Sequence, residues 1–430
     1  MKTDFSNLPF RPADILLPQD CDYDKWSVVA CDQYTSQPEY WQRVEERVGR
    51  APSALRLILP ESSLDGPHVE MDIMEINSTM SRYVREGRFK TLSGAMIYVE
   101  RTLWGGRVRR GLVGMADLTA YDYEPGSDAP IRATEGVVMS RIPPRVAVRK
   151  NAPIELPHAM LLADDPGRTI IEPLAAQTGF MELLYDFDLM EQGGHIKGWR
   201  LTEEQLGAVA GALSALADPA AFNAKYHTEN QPVMLFAMGD GNHSLATAKE
   251  CYERQKRLMP REKWDTVPSR YALCEMVNLH DDSLEFEPIH RVVFHTDQEA
   301  LLDALVRCYP GSRRGKEQEG DGLPVRYVCA GSEGVVTLPR TAARLTVGAL
   351  QSFLDDYLMD HPGRVDYIHG EDVAREFAAR PGNIAFLLTP MAKEELFPSV
   401  IHDGVLPRKT FSMGEAHDKR FYLEARKIRE

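Results

Sequence analysis

The fold class follows from one short stretch, Val233-Met234-Leu235-Phe236-Ala237-Met238-Gly239-Asp240-Gly241-Asn242-His243-Ser244. Its apolar part predicts a buried strand over residues 232–238, and the sequence beyond the turn predicts a helix over residues 243–256. Glycines on both sides of an acid let the backbone turn tightly between the two elements. Such a unit indicates a sheet whose strands alternate with helices.

Hairpins accompany this strand-to-helix unit. Residues 95–101 and 108–116, joined through Trp104-Gly105-Gly106-Arg107, predict two antiparallel strands. The mixture of hairpins and strand–helix units predicts an α+β or mixed α/β fold with mixed sheets, not a pure doubly wound sheet. We divide the chain into residues 1–200, an N-terminal α+β region with the hairpin, and residues 201–430, an α/β region that carries the Gly-Asp-Gly-Asn-His motif.

Local signals mark other helix boundaries. Thr202-Glu203-Glu204-Gln205 predicts a helix start with acids in its first turn. Ser36 before Pro38 predicts another start, for a helix that runs to Val48. The Pro-rich stretch Ile142-Pro143-Pro144-Arg145 is expected to interrupt any regular element.

Composition limits the class of protein. The chain has 430 residues, 43% hydrophobic and 27% charged, which is typical of a globular protein and excludes a disordered, fibrous or integral-membrane one. Lys plus Arg number 50 and Asp plus Glu 64, so a net charge of −14 argues against nucleic-acid partners. No export signal or long apolar segment is evident, so we expect a cytoplasmic protein with six reduced cysteines. The composition is compatible with a homo-oligomer as well as with a monomer.

The central turn has the residues for binding and chemistry. Backbone N–H groups in the first turn of the helix favour an anion. Asp240 could hold Mg²⁺ or accept a proton, and His243 could donate a hydrogen bond or act as acid or base near neutral pH. The alternative is a tight turn in which Asp240 or Asn242 caps the helix. The stretch is neither a Walker loop nor a dinucleotide fingerprint.

Four further groups of polar residues are candidates for binding. The loop at residues 32–37 suits a small polar ligand or is simply a helix start. Residues 287–291 present a histidine and an arginine on opposite faces of a strand, or a buried histidine beside a surface arginine. Cations between Arg132 and Lys150, around Glu135, and the pair Arg408-Lys409 suit a phosphate or carboxylate, or are solvated surface.

With these motifs in view, the sequence resembles the bacterial and archaeal domain of unknown function 1015 family over nearly its whole length. The resemblance is carried by five stretches in order: Phe10-Arg11-Pro12-Ala13, Val29 to Pro38, Gly239 to Ser244, Pro288-Ile289-His290-Arg291 and Leu406 to Phe411. Many members have Ala-Asp-Gly-His-His-Arg at the central motif. Here Asn242 replaces the first histidine and Ser244 the arginine.

More remotely, the central motif is similar to the Gly-x-x-Arg box of the ParB/sulfiredoxin-like superfamily. That superfamily includes partition proteins, sulfiredoxin and a nucleotide-dependent free-serine kinase, and its box binds nucleotide phosphates at a helix start. The resemblance implies a ParB/sulfiredoxin-like core here. Ser244 lacks the guanidinium that would clamp a phosphate, so Lys249 or Arg291 would have to substitute.

The motifs and the resemblance lead to two alternative hypotheses for the function. The first is a phosphotransferase that moves a phosphoryl group from ATP or ADP, with Mg²⁺ at Asp240, to a small metabolite. The second is a non-catalytic regulatory protein that binds a nucleotide or metabolite. For the first, Asp240 and His243 are the predicted catalytic residues. The predicted ligand-binding residues are Asp32, Gln33, Thr35, Glu135, Gly239, Gly241, Asn242, Ser244, His290, Arg291, Arg408 and Lys409. The loops at residues 32–37, 239–244 and 288–291 are expected to line one cleft.

Overall fold

The computed structural model describes residues 4–35, 37–64, 66–317 and 320–429. The chain forms two compact units. Unit 1 comprises Met1–Glu285 and Gly414–Glu430, and unit 2 comprises Phe286–Met413. No helix in the described ranges is both long and apolar enough to cross a membrane.

The strands, in chain order, are β1 (Phe10–Arg11), β2 (Ala13–Pro18), β3 (Val28–Val29), β4 (Phe89–Ala95), β5 (Ile97–Thr102), β6 (Val108–Asp117), β7 (Tyr121–Asp122), β8 (Ile131–Arg132), β9 (Ile154–Glu155), β10 (Met160–Ala163), β11 (Glu182–Asp188), β12 (His195–Arg200), β13 (Phe236–Asp240), β14 (Tyr271–Asn278), β15 (Phe286–Phe294), β16 (Arg313–Gly315), β17 (Leu323–Cys329), β18 (Ser332–Leu338), β19 (Arg364–His369), β20 (Ile384–Leu387), β21 (Phe411–Met413), β22 (Phe421–Tyr422) and β23 (Arg426–Lys427).

The α-helices are α1 (Tyr23–Trp26), α2 (Pro38–Val48), α3 (Val69–Arg85), α4 (Ile142–Arg149), α5 (Glu172–Ala175), α6 (Glu203–Leu216), α7 (Pro219–Tyr226), α8 (Asn242–Lys256), α9 (Gln298–Cys308), α10 (Thr346–Asp360), α11 (Glu371–Ala378) and α12 (Leu396–Asp403). Helices and mixed sheets together make a mixed α/β fold, as the sequence predicts.

Unit 1 is built on a ten-stranded sheet of order β11-β12-β5-β6-β14-β10-β13-β8-β7, with β1 beside β6. The predicted hairpin is confirmed as β5 and β6, which pair antiparallel. β12 flanks this hairpin on one side and β14 on the other. The predicted boundary after residue 200 therefore falls inside unit 1, because strands from both predicted regions share this sheet.

Two apolar clusters stabilise unit 1. In one, β13 buries Phe236 and Met238 against Leu245 and Ala246 of α8. The other gathers Trp26 and residues of α2 and α3 around β22, whose Phe421 is 2% exposed. The C-terminal segment is thus part of this core.

Unit 2 has its own seven-stranded sheet of order β16-β18-β17-β20-β15-β19, with β21 beside β15. Leucines of α9 and aromatic residues of α10 fill its main core together with Val325, Val336 and Phe386.

The observed helix boundaries show which local sequence signals were enough to predict where a helix begins. Thr202 and Gln205 form the reciprocal capping pair that begins α6, as predicted. Gln37 is the N-cap of α2, and the predicted cap Ser36 lies outside the described residues. The expectation of irregular structure at Pro143-Pro144 is wrong: the prolines lie in the first turn of α4, where a missing N–H costs nothing.

Candidate functional site

Gly241 makes the turn between β13 and α8. Its φ of 78° is in the left-handed region, and it is the N-cap of α8. A Cβ there would lie 2.8 Å from the Ala159 Cα and 3.1 Å from the Ala159 Cβ. Between β13 and β10 the pairing shifts by one residue, so that Gly239 bulges beside the turn. The turn thus requires glycine at residue 241.

No side chain caps the first turn of α8 within the described residues. The carboxylate of Asp240 accepts a 2.8 Å hydrogen bond from Gly241 N–H, and Asn242 is already the first helical residue. The alternative that Asp240 or Asn242 caps this helix is therefore wrong. The first N–H groups of α8, at the positive end of the helix dipole, therefore receive no cap from these two side chains.

A lysine from the C-terminal segment lies beside this turn. The Nζ atom of Lys419 is 3.5 Å from Oδ2 of Asp240, and its side chain is 11% exposed. β22 pairs with β3, and Ala30 N–H donates to the Arg420 carbonyl. This register brings the loop that contains Asp32 to Lys419.

After Asp240, Asp32 is the second carboxylate that interacts with Lys419. Burial raises its pKa, but His158, a hydrogen bond from Gln33 and Lys419 together outweigh burial and hold that pKa below its ordinary value. The Nε2 atom of Gln33 donates to Asp32 Oδ1 over 3.0 Å. Asp32 is therefore an anion at neutral pH, as binding to a cation requires.

Behind Asp32 lies a buried polar chain. The hydroxyl oxygen of Tyr422 is 2.7 Å from Nδ1 of His158 and 3.1 Å from Sγ of Cys31. Burial, followed by the charge of Asp32, raises the pKa of Cys31 to about 12, so it is a thiol at neutral pH.

His243 is a neutral imidazole. Its Nε2 accepts a 3.1 Å hydrogen bond from Val138 N–H. Burial, then repulsion by Arg145 and Arg141, lowers its pKa to about 4. The prediction that His243 titrates near neutral pH is wrong, because burial and then two neighbouring arginines disfavour the charged imidazole. With Nε2 as acceptor, the ring proton is on Nδ1.

Two arginines and an acid complete the surroundings of His243. Arg145 is 2.7 Å from Glu61 Oε1, and Arg141 is 3.9 Å from the same oxygen. Glu61 N–H in turn donates to the Cys31 carbonyl. Arg141 and Arg145, which belong to the predicted cationic stretch between Arg132 and Lys150, thus lie near His243.

Several predicted ligand-binding residues lie at or next to the turn. Asn242 Oδ1 is buried without a hydrogen-bond partner, and its Nδ2 is 3.5 Å from the hydroxyl of Thr134. Glu135 follows Thr134 and is half-buried, as are Gly239 and Ser244. Thr35 is exposed.

The remaining predicted residues belong to unit 2. Arg291 is fully buried, and its guanidinium donates to the carbonyls of Ile289, Arg408 and Lys409. Arg408 also lies 3.0 Å from Asp355. His290 Nδ1 accepts from Leu388 N–H. The two predicted motifs of this unit therefore meet each other, and the contacts of Arg291 hold the turn at residues 408–409. Their part in ligand binding stays a prediction.

The lysine beside the turn is Lys419 and not the predicted Lys249. The amine of Lys249 donates to the carbonyls of Leu118 and Tyr121, so it holds the chain there. Lys419 and Tyr422 were missed because no local pattern marks them; only pairing of β22 with β3 brings them to the site.

Among the described residues, no group of three or more His, Cys, Asp or Glu side chains is placed to hold a metal ion. A magnesium ion at Asp240 would therefore need oxygens from a ligand or water, which is its usual mode of binding in proteins.

Eight solved chains match the fold significantly. A free serine kinase in complex with AMP is 11% identical, with a TM-score of 0.39, covering 73% of this chain and 90% of that one. A conserved hypothetical protein from Pyrococcus furiosus is 10% identical, with a TM-score of 0.37 and coverages of 73% and 94%. SbnI with a C-terminal truncation, from Staphylococcus aureus, is 8% identical, with a TM-score of 0.37 and coverages of 70% and 82%.

No curated protein matches the sequence. A family profile does: the one described as "Protein of unknown function (DUF1015)" matches residues 11–357, which include the loop at Asp32, the turn at Gly241 and His290-Arg291. The chain belongs to the DUF1015 family.

Proposed function

We propose that this protein binds a nucleotide at the turn between β13 and α8 and transfers a phosphoryl group from it to a small metabolite. One observation carries the proposal: an uncapped helix start, Lys419 and the carboxylates Asp32 and Asp240 are gathered in unit 1. Phosphoryl transfer needs such a combination, because its catalysis consists mostly of positioning and of charge stabilisation.

The phosphate group is bound by the helix start and by Lys419. Successive backbone N–H groups and the helix dipole favour an anion at this point. Lys419 supplies the cation that Ser244 lacks, as a point charge and not as a two-pronged clamp. On this proposal the turn is a variant of the ParB/sulfiredoxin-like box in which a lysine from a distant segment replaces the arginine.

Asp240 and Asp32 would hold Mg²⁺. This ion usually binds through one or two carboxylates together with phosphate oxygens and water, and the donor set here fits that pattern. When bound, it neutralises charge on the phosphates. Of the two carboxylates, we assign to Asp240 the further role of accepting the proton of an acceptor hydroxyl.

His243 contributes as a neutral donor. Since Val138 N–H occupies Nε2, the Nδ1–H can donate to a ligand oxygen across the neutral pH range. This donor stabilises developing charge without a change in protonation of the ring.

A non-catalytic nucleotide- or metabolite-binding regulator is the second candidate. Ser244 favours it, because the family pattern has an arginine at this third helical residue. Loss of that clamp weakens transition-state stabilisation more than it weakens binding.

The test has two stages. Calorimetry with ATP and ADP, with and without Mg²⁺, compares wild type with Lys419→Gln and with Lys263→Gln, an exposed lysine used as control. We expect binding by wild type and the control, and a loss of about tenfold or more in Lys419→Gln. No binding by wild type, or equal binding by Lys419→Gln, would refute the nucleotide site.

A single-turnover assay then separates the two candidates. Labelled nucleotide is incubated with the protein and a pool of small hydroxyl and amino compounds. Transfer or hydrolysis of the label supports the enzyme. Binding without turnover supports the regulator.

A further inference from the structure

Arg101 is a buried guanidinium outside the group of residues proposed to bind the nucleotide. It lies in β5 and is 2% exposed. Its donors reach backbone carbonyls instead of carboxylates, and all of these acceptors belong to two segments of unit 1. One is Gly193, which accepts from Nε and Nη2 over 3.1 and 2.9 Å.

The other segment contains the proposed phosphate-binding lysine. Nη1 of Arg101 donates to the carbonyl of Lys419 over 2.5 Å and to that of Asp418 over 3.3 Å. Nη2 donates to the carbonyl of His417 over 2.6 Å. One rigid, planar side chain therefore fixes three consecutive carbonyls, and the Lys419 backbone with them.

Neighbouring contacts strengthen this arrangement. The Arg101 guanidinium lies 4.9 Å from the ring centroid of Phe421, on the far side of Lys419 in sequence. Arg109 adds a 2.8 Å hydrogen bond to the Asp418 carbonyl. Burial, then repulsion by Arg109, lowers the pKa of Arg101 to about 9, which still leaves it protonated at pH 7.

We propose that Arg101 is a positioning residue: by holding the carbonyls of residues 417–419 it keeps the amine of Lys419 beside Asp240. The importance of this role for ligand binding rests on the proposed function, but the position of Lys419 does not. The short segment at residues 414–419 contains one 3-10 turn, Ala416–Asp418, and the hydrogen bonds from Arg101 fix it to β5.

The experiment measures the acetylation rate of each lysine amine in the native protein by mass spectrometry, without nucleotide. Exposed Lys150 is the internal reference. In Arg101→Gln, we expect the rate at Lys419 relative to Lys150 to rise about tenfold or more, because three hydrogen bonds to residues 417–419 are lost and one hydrogen bond to a charged group alone corresponds to about tenfold. Arg101→Lys, which retains a cation but not the fork, should give a smaller rise.

Arg132→Gln is the matched control. Arg132 is also buried and also donates to backbone carbonyls, those of Ala129 and Pro232, so the variant loses a similar guanidinium elsewhere in unit 1. Its Lys419 rate should equal that of wild type. Equal Lys419 rates in wild type and the folded Arg101 variants would overturn the proposal, as would an equal rise in Arg132→Gln.

If the Arg101 variants do not fold, hydrogen exchange of the wild-type protein tests the proposal instead. Peptides spanning residues 416–422 should exchange as slowly as those of β5. Exchange as fast as that of the hairpin turn at residues 103–107 would also overturn the proposal. Because neither measurement uses nucleotide, a changed Lys419 rate without ATP binding by wild type would refute the proposed function and leave the role of Arg101 intact.

Discussion

The backbone N–H of Val138 donates a 3.1 Å hydrogen bond to Nε2 of His243, so this ring nitrogen is an acceptor, and burial is the main reason that the imidazole is neutral. A donor aimed at the ring nitrogen stabilises the neutral form, and burial and two arginines act in the same direction. The proposed site therefore contains a histidine that keeps one protonation state over the whole physiological pH range.

Stability should depend on this histidine below neutral pH. Its pKa is about 4 when folded and 6.5 when unfolded, so between these values the unfolded chain binds the extra proton. The contribution of His243 is complete above pH 6.5 and is lost as the pH falls towards 4, by about 3 kcal/mol in all. Urea unfolding from pH 4.5 to 7.5 should show a shallower pH dependence in His243→Gln. The exposed control His68→Gln should match wild type, and a slope unchanged by His243→Gln would contradict the assignment.

Gly241→Ala should destabilise unit 1 through two additive causes. A left-handed φ costs a residue with a Cβ about 1–2 kcal/mol, and contact with Ala159 adds on the order of 1–3 kcal/mol. The control is Gly211→Ala in α6, where a Cβ meets nothing within 4 Å and the helix should gain about 0.5–1 kcal/mol. Urea titrations measure both changes. A Gly241→Ala variant as stable as wild type would show that the turn does not have this geometry.

Asp240→Asn separates ligand binding from turn formation. Asparagine retains an oxygen for the Gly241 N–H, so the cost in stability should be about 1 kcal/mol or less. Its lost charge should abolish the Mg²⁺-dependent part of nucleotide binding, read as the thermal shift with ATP and Mg²⁺. Exposed Asp14→Asn is the control. Equal shifts in wild type and Asp240→Asn would count against a cation at Asp240.

In unit 2, Arg291→Met should destabilise the turn at residues 408–409. It leaves the carbonyls of Ile289, Arg408 and Lys409 without their charged donor, which should cost about 1–3 kcal/mol at the buried Ile289 carbonyl and less at the two carbonyls of the exposed residues. Arg326→Met, at a side chain that is 44% exposed, should cost less than about 1 kcal/mol. Calorimetric unfolding compares them; similar losses in both variants would show that the Arg291 contacts contribute little.

The cysteines should differ in reactivity. All six are free; Cys308 is exposed, whereas Cys251, Cys274 and Cys329 are buried. Burial first of all raises the pKa of Cys31 and Cys274 to about 12, so their thiolate fractions are small at pH 8. A thiol reagent should modify Cys308 first in the native protein and all six thiols after unfolding. Early labelling of Cys274, or fewer than six thiols in the unfolded chain, would contradict this prediction.

Local sequence signals predicted the structure correctly where it depends on residues that are close together in the sequence. The capping pair Thr202 and Gln205 and the glycine at residue 241 are of this kind, since each acts over a few residues. The prediction at Pro143 was wrong because proline fits the first turn of a helix, although it breaks a helix at a later position. The role of Lys419 could not be predicted, because it depends on pairing between strands from opposite sides of unit 2 in the sequence.

Unit 1 is formed from two chain segments separated by the whole of unit 2. During synthesis, Asp32 and Asp240 leave the ribosome long before Lys419 does. At roughly 5–20 residues per second, the intervening unit delays the second segment by on the order of ten seconds. For that time β3 lacks its partner strand β22, and the buried residues Phe421 and Tyr422 are missing from the core around it. Assembly of the proposed site is consequently a late event of biosynthesis, and chaperone capture of nascent chains should end only once residues 414–430 have emerged.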